Sequence, residues 1–329
     1  MKRDLFKNRE LSLFIILIIT IGVTAAFNPR FITGEGTKDL LNFTAVVAIL
    51  AIGIAPIVIM RHIDLSISST VGFSAWVIAA LSDKYDSINV WHCFLIGAAL
   101  GSLVGIVNGL LVAGLRLPSL VVTLGTLYIV RGLDYVISNS VDYNAQQLPE
   151  SMNKMAATSY FGVLPFQFLL VIIFMVLASF YMKYRKAGRD RYAIGSNPPA
   201  ADLVGIPVFR RTFMSFVFSG AVAGMAGVFY LMRFAQVDAT AFYGQELAVV
   251  AAVVIGGISI MGGVGTPHGA VIGALLVQTI QLALGALGVD AFWKQAINGA
   301  LLIIALIADR RLAASSERAL LLQRIKERV

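Results

Sequence analysis

Charge is scarce in this sequence. Only 13% of its 329 residues are Asp, Glu, Lys or Arg, while 58% are apolar and mean hydropathy is +0.83. A soluble domain carries about 25% charged residues. So few charges cannot coat a globule of this length, which excludes an ordinary soluble enzyme, a disordered chain and a coiled coil. A chain embedded in a membrane is what remains. Cysteine is scarcer still: Cys93 alone excludes an intrachain disulfide and a cysteine-clustered metal site. The three histidines, His62, His92 and His268, are scattered. No Gly-x-Ser-x-Gly elbow, His-Glu-x-x-His helix or Gly-Lys-Ser/Thr phosphate loop occurs. The sequence therefore points to no enzyme, no metal site and no bound cofactor. Work driven by ATP would need a motor on another subunit.

Long apolar runs are what the chain has. A helix needs about 20 mostly apolar residues to cross a bilayer. Ten segments qualify as expected spans: 11–27, 42–60, 66–82, 92–113, 119–137, 163–182, 213–232, 247–261, 269–288 and 294–308. The third, eighth and tenth are short or interrupted. Barrel strands would alternate in polarity, whereas 11–19 and 168–178 are continuously apolar, so the spans read as helices.

With the N-terminus inside, most of the 26 Lys and Arg fall in cytoplasmic segments, including Arg61, Arg116, the run from Lys183 to Arg211 and the tail after Arg310. This bias places both termini in the cytoplasm. It also accounts for the net charge of +8 without a nucleic-acid partner. Residues 1–26 match a cleaved signal peptide as well, but a first span with a basic cytoplasmic flank has the same pattern. The tail 309–329 reads as a basic cytoplasmic helix anchored at lipid headgroups.

Small residues let helices approach in lipid. Gly97, Gly101, Gly105 and Gly109 recur every four residues on one face, and Gly220, Gly224, Gly227, Gly269 and Gly273 suit the same role. In 256–269 glycine is dense enough to forbid regular helix, so this stretch is either a cytoplasmic turn or a broken helix beside a pathway. Polar residues inside spans are functional hypotheses by default. Asp64, before Ser66, Ser68 and Thr70, suits the start of the third helix as a cap; a proton relay through Arg61, His62 and Asp64 is the alternative. Asn108, Thr123 and Thr126 are further polar points, Arg131 and Asp134 are spaced to pair, and Glu246 suits a helix start.

The longest inner connection, 183–212, contains Asn197-Pro198, an N-cap followed by the residue favoured at the first helical position. Gly205 suits the helix end and Pro207 prevents its return. The spacing predicts a helix of about two turns lying between the sixth and seventh spans.

The stretch Gly188-Arg189, Tyr192-Ala193-Ile194-Gly195, Asn197-Pro198, Ala200-Ala201 and Gly205-Ile206 resembles the coupling loop of the ribose-type ABC importer permeases. Three further blocks resemble the same family in order: Ile63 to Ser69, with Ser68 where glycine is usual; Asn108-Gly109 with Leu117 to Leu127 and Arg131-Gly132; and Gly256 to Ser259 with Gly262-Gly263 and Gly265-Thr266. The resemblance covers nearly the whole chain. It implies an all-α polytopic membrane bundle of about ten transmembrane helices, like the type II ABC importers, as one permease domain over 1–329.

It implies a second permease, identical or a paralogue, a cytoplasmic ATPase holding ATP and magnesium, and an extracytoplasmic sugar-binding protein. Arg189, Tyr192, Gly195, Asn197, Pro198, Ala200, Ala201, Leu203, Gly205 and Ile206 would then couple to the ATPase. Asp64, Ser66, Ser68, Thr70, Asn108, Thr123 and Thr126 are the expected substrate path. The function implied is ATP-driven import of a sugar or sugar-like molecule of the rhamnose, ribose or autoinducer-2 class across the inner membrane. The alternatives are a permease for nucleosides or branched-chain amino acids, or a proton-coupled carrier using Asp64.

Overall fold

The computed structural model describes residues 9–289 together with residues 293, 296–304, 306, 307 and 310. Helix dominates it. In chain order the helices are α1 (Arg9–Phe27), α2 (Gly34–Ile59), α3 (Ile67–Lys84), α4 (Val90–Gly109), α5 (Ser119–Ser138), α6 (Glu150–Ala157), α7 (Phe166–Tyr184), α8 (Lys186–Ser196), α9 (Pro198–Leu203), α10 (Val208–Phe234), α11 (Glu246–Ile255) and α12 (Pro267–Ala286). A π-helical turn, Leu110–Gly114, prolongs α4.

Among the described residues six helices are long and apolar enough to cross a membrane: α2, α4 with its π turn, α5, α7, α10 and α12. This is fewer than the ten spans expected. The reasons differ from helix to helix. Leu13–Phe27 and α11 are apolar but short. Helix α3 is long enough, but its serines, Asp83 and Lys84 make it too polar by composition. The tenth span, 294–308, lies partly outside the described residues, and so does the tail 309–329.

Helix α2 runs through the centre. Its apolar window is 94% buried, and Ile49, Ile52, Ile54 and Ile57 are almost wholly enclosed. Helices α7, α10, α11 and α12 pack around it. The closest pair is α4 against α10. A Cβ on Gly101 would collide with the Gly220 carbonyl, and one on Gly97 with the Gly224 carbonyl. The four-residue glycine spacing thus places two backbones in direct contact. Gly273 and Gly269 on α12 do the same against Ala252 and Gly256 at the end of α11.

Helix α11 stops at Ile255, and residues 256–266 run without regular helix until Pro267, capped by Thr266, starts α12. The glycine-dense stretch is therefore a turn. Gly257, Gly262, Gly263 and Gly265 all hold positive φ, which explains why helix cannot continue. At the other end of the bundle two short antiparallel ribbons tie the loops together. These are β1 (Tyr143–Asn144) with β4 (Gln236–Val237), and β2 (Ser159–Tyr160) with β3 (Leu164–Pro165).

Candidate functional site: a braced connector and a buried polar network

The connector between α7 and α10 folds as the short helix α9 on the longer helix α8. The sequence grammar of α9 is local. Asn197 Oδ1 accepts from the Ala200 N–H at 3.2 Å, and Pro198 occupies the first turn. At the far end the Ile206 N–H reaches the Ala201 carbonyl and the Gly205 N–H reaches that of Asp202, with Gly205 at φ +75°. This double closure needs a left-handed residue, and glycine takes that conformation at no steric cost. Ala201 is buried against Met60 and Ile194. Leu203 and Val204, by contrast, are 89% and 75% exposed. The unit is a short helix seated on one small residue with an apolar tip in the open.

Helix α8 is braced from every side. Arg61, at φ +68° beyond α2, donates from Nε to the Gly195 carbonyl at 2.5 Å and from Nη2 to the Ser196 carbonyl at 2.7 Å. These carbonyls end α8, where a cation is favoured. Gly195 itself lies so close to α2 that a Cβ would strike the Ile59 carbonyl, which accepts from the Gly263 N–H at 2.8 Å. Tyr192 donates its hydroxyl to the Gly265 carbonyl at 2.9 Å, and burial pushes its phenol pKa up, keeping it a donor. Arg191 donates to Ser215 Oγ on α10 at 2.7 Å, and Arg211 pairs with Asp190 at 2.7 Å. Arg189 reaches back to the Tyr184 carbonyl. Thus α2, α7, α10 and the glycine-rich turn all grip α8, and α8 carries α9.

Sequence reasoning singled out nearly every residue of this connector. It did not foresee Arg61 as the brace, because the acceptors lie 134 and 135 positions away and no local pattern marks them. Clefts flank the unit on both sides. One, of about 480 Å³, includes His62, Arg116, Pro198 and Asp202 in its lining; the other, of about 630 Å³, includes Lys183, Arg189, Tyr192 and His268.

The residues expected along a substrate path gather around the connector between α2 and α3, drawn from that connector and from α3, α4 and α5. Asp64 Oδ1 accepts from both the N–H and the hydroxyl of Ser66, at 3.1 and 2.6 Å. Its Oδ2 accepts from Ser219 on α10 at 3.0 Å. Asn108 donates to Ser66 Oγ at 2.8 Å and accepts from Thr126 at 2.5 Å. Thr123 bonds the Ile63 and Ser119 carbonyls, and Thr70 the Ser66 carbonyl. All seven residues are buried, Asp64 at 1% exposure. Ser68 contributes its carbonyl to Arg131 at 3.4 Å, and Arg131 pairs with Asp134 at 3.5 Å. The network joins α3, α4, α5 and α10; the side chains of Asp64, Ser66, Asn108 and Ser219 are hydrogen-bonded, whereas Asp134 has the Arg131 ion pair and, among the described residues, no hydrogen bond. None of its members lines the two clefts beside α8 and α9. Asp64 stands two residues before the α3 N-cap position, which Ser66 occupies. Ser219 was missed by sequence reading, as a lone serine in an apolar helix carries no signal.

The long apolar helices, packed around α2 and joined by a braced connector, define a multi-pass helical membrane protein. Residues 36–306 match the family model described as the permease component of the branched-chain amino acid transport system, and the chain belongs to that family, within it to the ribose-type ABC permeases. It is 34% identical over 96% of its length to the autoinducer 2 import system permease protein LsrC of Enterobacter sp. (strain 638), covering 91% of that protein. It is 32% identical over 90% of its length to the L-arabinose ABC transporter permease protein AraH of Azospirillum brasilense, covering 85% of that protein. No solved structure matches the chain. Membership implies association with an ATPase and a binding protein.

Proposed function

We propose that this chain is the membrane-spanning subunit of an ATP-driven importer for a sugar or sugar-like molecule, with α9 as the element that docks on the ATPase. The observation that carries this reading is the contrast within one connector: α8 is fixed to four parts of the bundle, while Leu203 and Val204 at the end of α9 are bare. A rigid strut with an exposed apolar tip transmits displacement from a docked partner to α2 and α10, because a packed interior moves by rigid-body steps rather than by yielding. The autoinducer-2 and arabinose relatives support the sugar class. ATP and magnesium are held by the ATPase, an extracytoplasmic binding protein delivers the solute, and the second permease is a copy or a paralogue. The arginine-rich α8 end faces the cytoplasm, with both termini on that side of the inner membrane.

The test is Leu203→Asp, optionally with Val204→Asp. Both side chains are exposed, so the permease keeps its own fold. Co-purification of the ATPase and sugar uptake are both expected to fall at least tenfold, with membrane levels unchanged. Undiminished ATPase binding would overturn the docking assignment. The network around Asp64 is read as the clamp that holds α3, α4, α5 and α10 in register, since every oxygen of that carboxylate is occupied by a donor.

A further inference from the structure

A separate cavity of about 290 Å³ opens between α2, the end of α10, the loop 235–245 and α12. It shares no residue with the braced connector or with the Asp64 network. Gln278 lines it at 1% exposure, and its Oε1 has no hydrogen-bond partner. A buried amide oxygen left open is rare and calls for an occupant or a water. Gln281, one turn further on, is 4% exposed and donates from Nε2 to Asn298 at 2.8 Å. Gln245 supplies a third amide to the lining.

Aromatic rings complete the walls. Phe242 holds φ +58°, a left-handed conformation that bulky residues seldom adopt. The turn that imposes it is closed by the Tyr243 N–H on the Thr240 carbonyl and followed by Gly244 at φ +75°. The result sets the Phe242 ring edge-on to Tyr230, with centroids 6.3 Å apart. Strained backbone is retained where the side chain's position matters. Tyr243, which also lines the cavity, is 58% exposed and marks its open side.

The lining carries no charged side chain. A zwitterionic amino acid would bury an ammonium and a carboxylate with no counter-charge in the lining, which is unfavourable. A neutral polyol presents hydroxyls that both donate and accept, matched by amides that do the same. The C–H face of its ring suits aromatic walls. The volume lies at the lower edge of the roughly 300–1,000 Å³ range of small-molecule sites, the size for one small ring. We propose that this cavity is a binding station for a neutral monosaccharide-sized polyol within the permease, with Gln278 the side chain that selects hydroxyls. The proposal rests on the sugar-importer reading above.

The test uses the full importer in vesicles, with radiolabelled D-ribose, L-arabinose and L-rhamnose, and leucine as the amino-acid control. The binding protein sets capture, so Gln278→Leu is expected to lower the maximal rate for a transported sugar at least tenfold, leaving KM and ATP hydrolysis within twofold. Gln278→Asn should recover part of the rate. Normal transport by Gln278→Leu and Phe242→Ala would overturn the site and leave the importer reading intact. Transport of leucine and none of the sugars by the unaltered protein would overturn both. Should Gln278→Leu fail to assemble, Tyr243→Cys decides. Cys93 is 0% exposed and stays silent to a maleimide, so labelling reports position 243. A transported sugar should slow that labelling at least threefold, and absence of protection would overturn the proposal.

Discussion

Arg61 reaches from the end of α2 to the terminal carbonyl of Gly195 on α8, 134 positions later in the chain, at 2.5 Å. Its second bond, to Ser196, makes the contact a fork onto two successive carbonyls. A planar guanidinium fits that geometry, whereas an ammonium offers a single point charge. The central helix of the bundle and the base of the proposed docking helix thereby move together.

Loss of this fork should separate movement at α9 from movement in the bundle. Hydrogen bonds to charged groups contribute about 1.5–3 kcal/mol, and Arg61→Gln forgoes them at one end of α8 only. The expected outcome is a permease that reaches the membrane and still binds its ATPase, while uptake per ATP hydrolysed falls severalfold. Arg61→Lys should restore little of it. Uptake and hydrolysis that remain in the original ratio would show that the fork carries no coupling.

Glycines of identical type in this chain should respond oppositely to alanine. At Gly101 the new methyl meets the Gly220 carbonyl on α10, and backbone cannot give way there cheaply. Overpacking of this kind costs about 1–3 kcal/mol. At Gly132 on α5 nothing lies within 4 Å of the added carbon. Alanine there gains helix propensity of roughly 0.5–1 kcal/mol. Thermal unfolding in detergent should show Gly101→Ala several degrees less stable than the parent and Gly132→Ala equal or more stable. Equal losses at the two sites would mean that α4 and α10 are not in backbone contact.

Much of this was legible beforehand, for reasons that differ by residue. The cap and terminator of α9 are written within ten residues, from Asn197 to Ile206, so local rules suffice. The glycine face of α4 follows from a spacing of four. The irregular turn after Ile255 was legible as glycine density, but not its position beside Gly195 and Ile59, which depends on packing of distant segments. Long-range polar contacts were invisible for the same reason: neither Arg61 with Gly195 nor Ser219 with Asp64 has a sequence period. The strained Phe242 was equally hidden, since positive φ at a non-glycine residue is set by the surrounding fold.

Acid should weaken the fold through His62. This half-buried side chain lies in the connector between α2 and α3, its ring 6.1 Å from that of the fully buried Phe216. Burial lowers its pKa below the ordinary value of 6.5. The folded state thus favours the neutral ring, and the unfolded chain takes up a proton first as pH falls. Stability should be level above about pH 7.5, decline as pH passes 6.5 toward the depressed folded value, and level again below it. His62→Gln should flatten that decline in thermal unfolding scans between pH 8 and 5. An unchanged slope would assign the acid response to other groups.

Asp64 provides the sharpest contrast between a clamp and a proton relay. As a clamp, it is an acceptor for three donors: the Ser66 N–H, the Ser66 hydroxyl and the Ser219 hydroxyl. Asn has nearly the same shape and keeps one carbonyl oxygen, and the Ser219 hydroxyl can rotate to accept from the new amide. Asp64→Asn should therefore cost below about 2 kcal/mol and preserve most uptake, even though it abolishes titration at this position. Asp64→Leu removes every acceptor and strands buried donors at about 1–3 kcal/mol each, so it should fail to accumulate or unfold far more readily. Uptake driven by the ATPase should also continue when the proton gradient is collapsed with an uncoupler while ATP is maintained. A folded Asp64→Asn protein with no uptake, together with inhibition by the uncoupler at constant ATP, would replace the clamp with a proton-coupled mechanism.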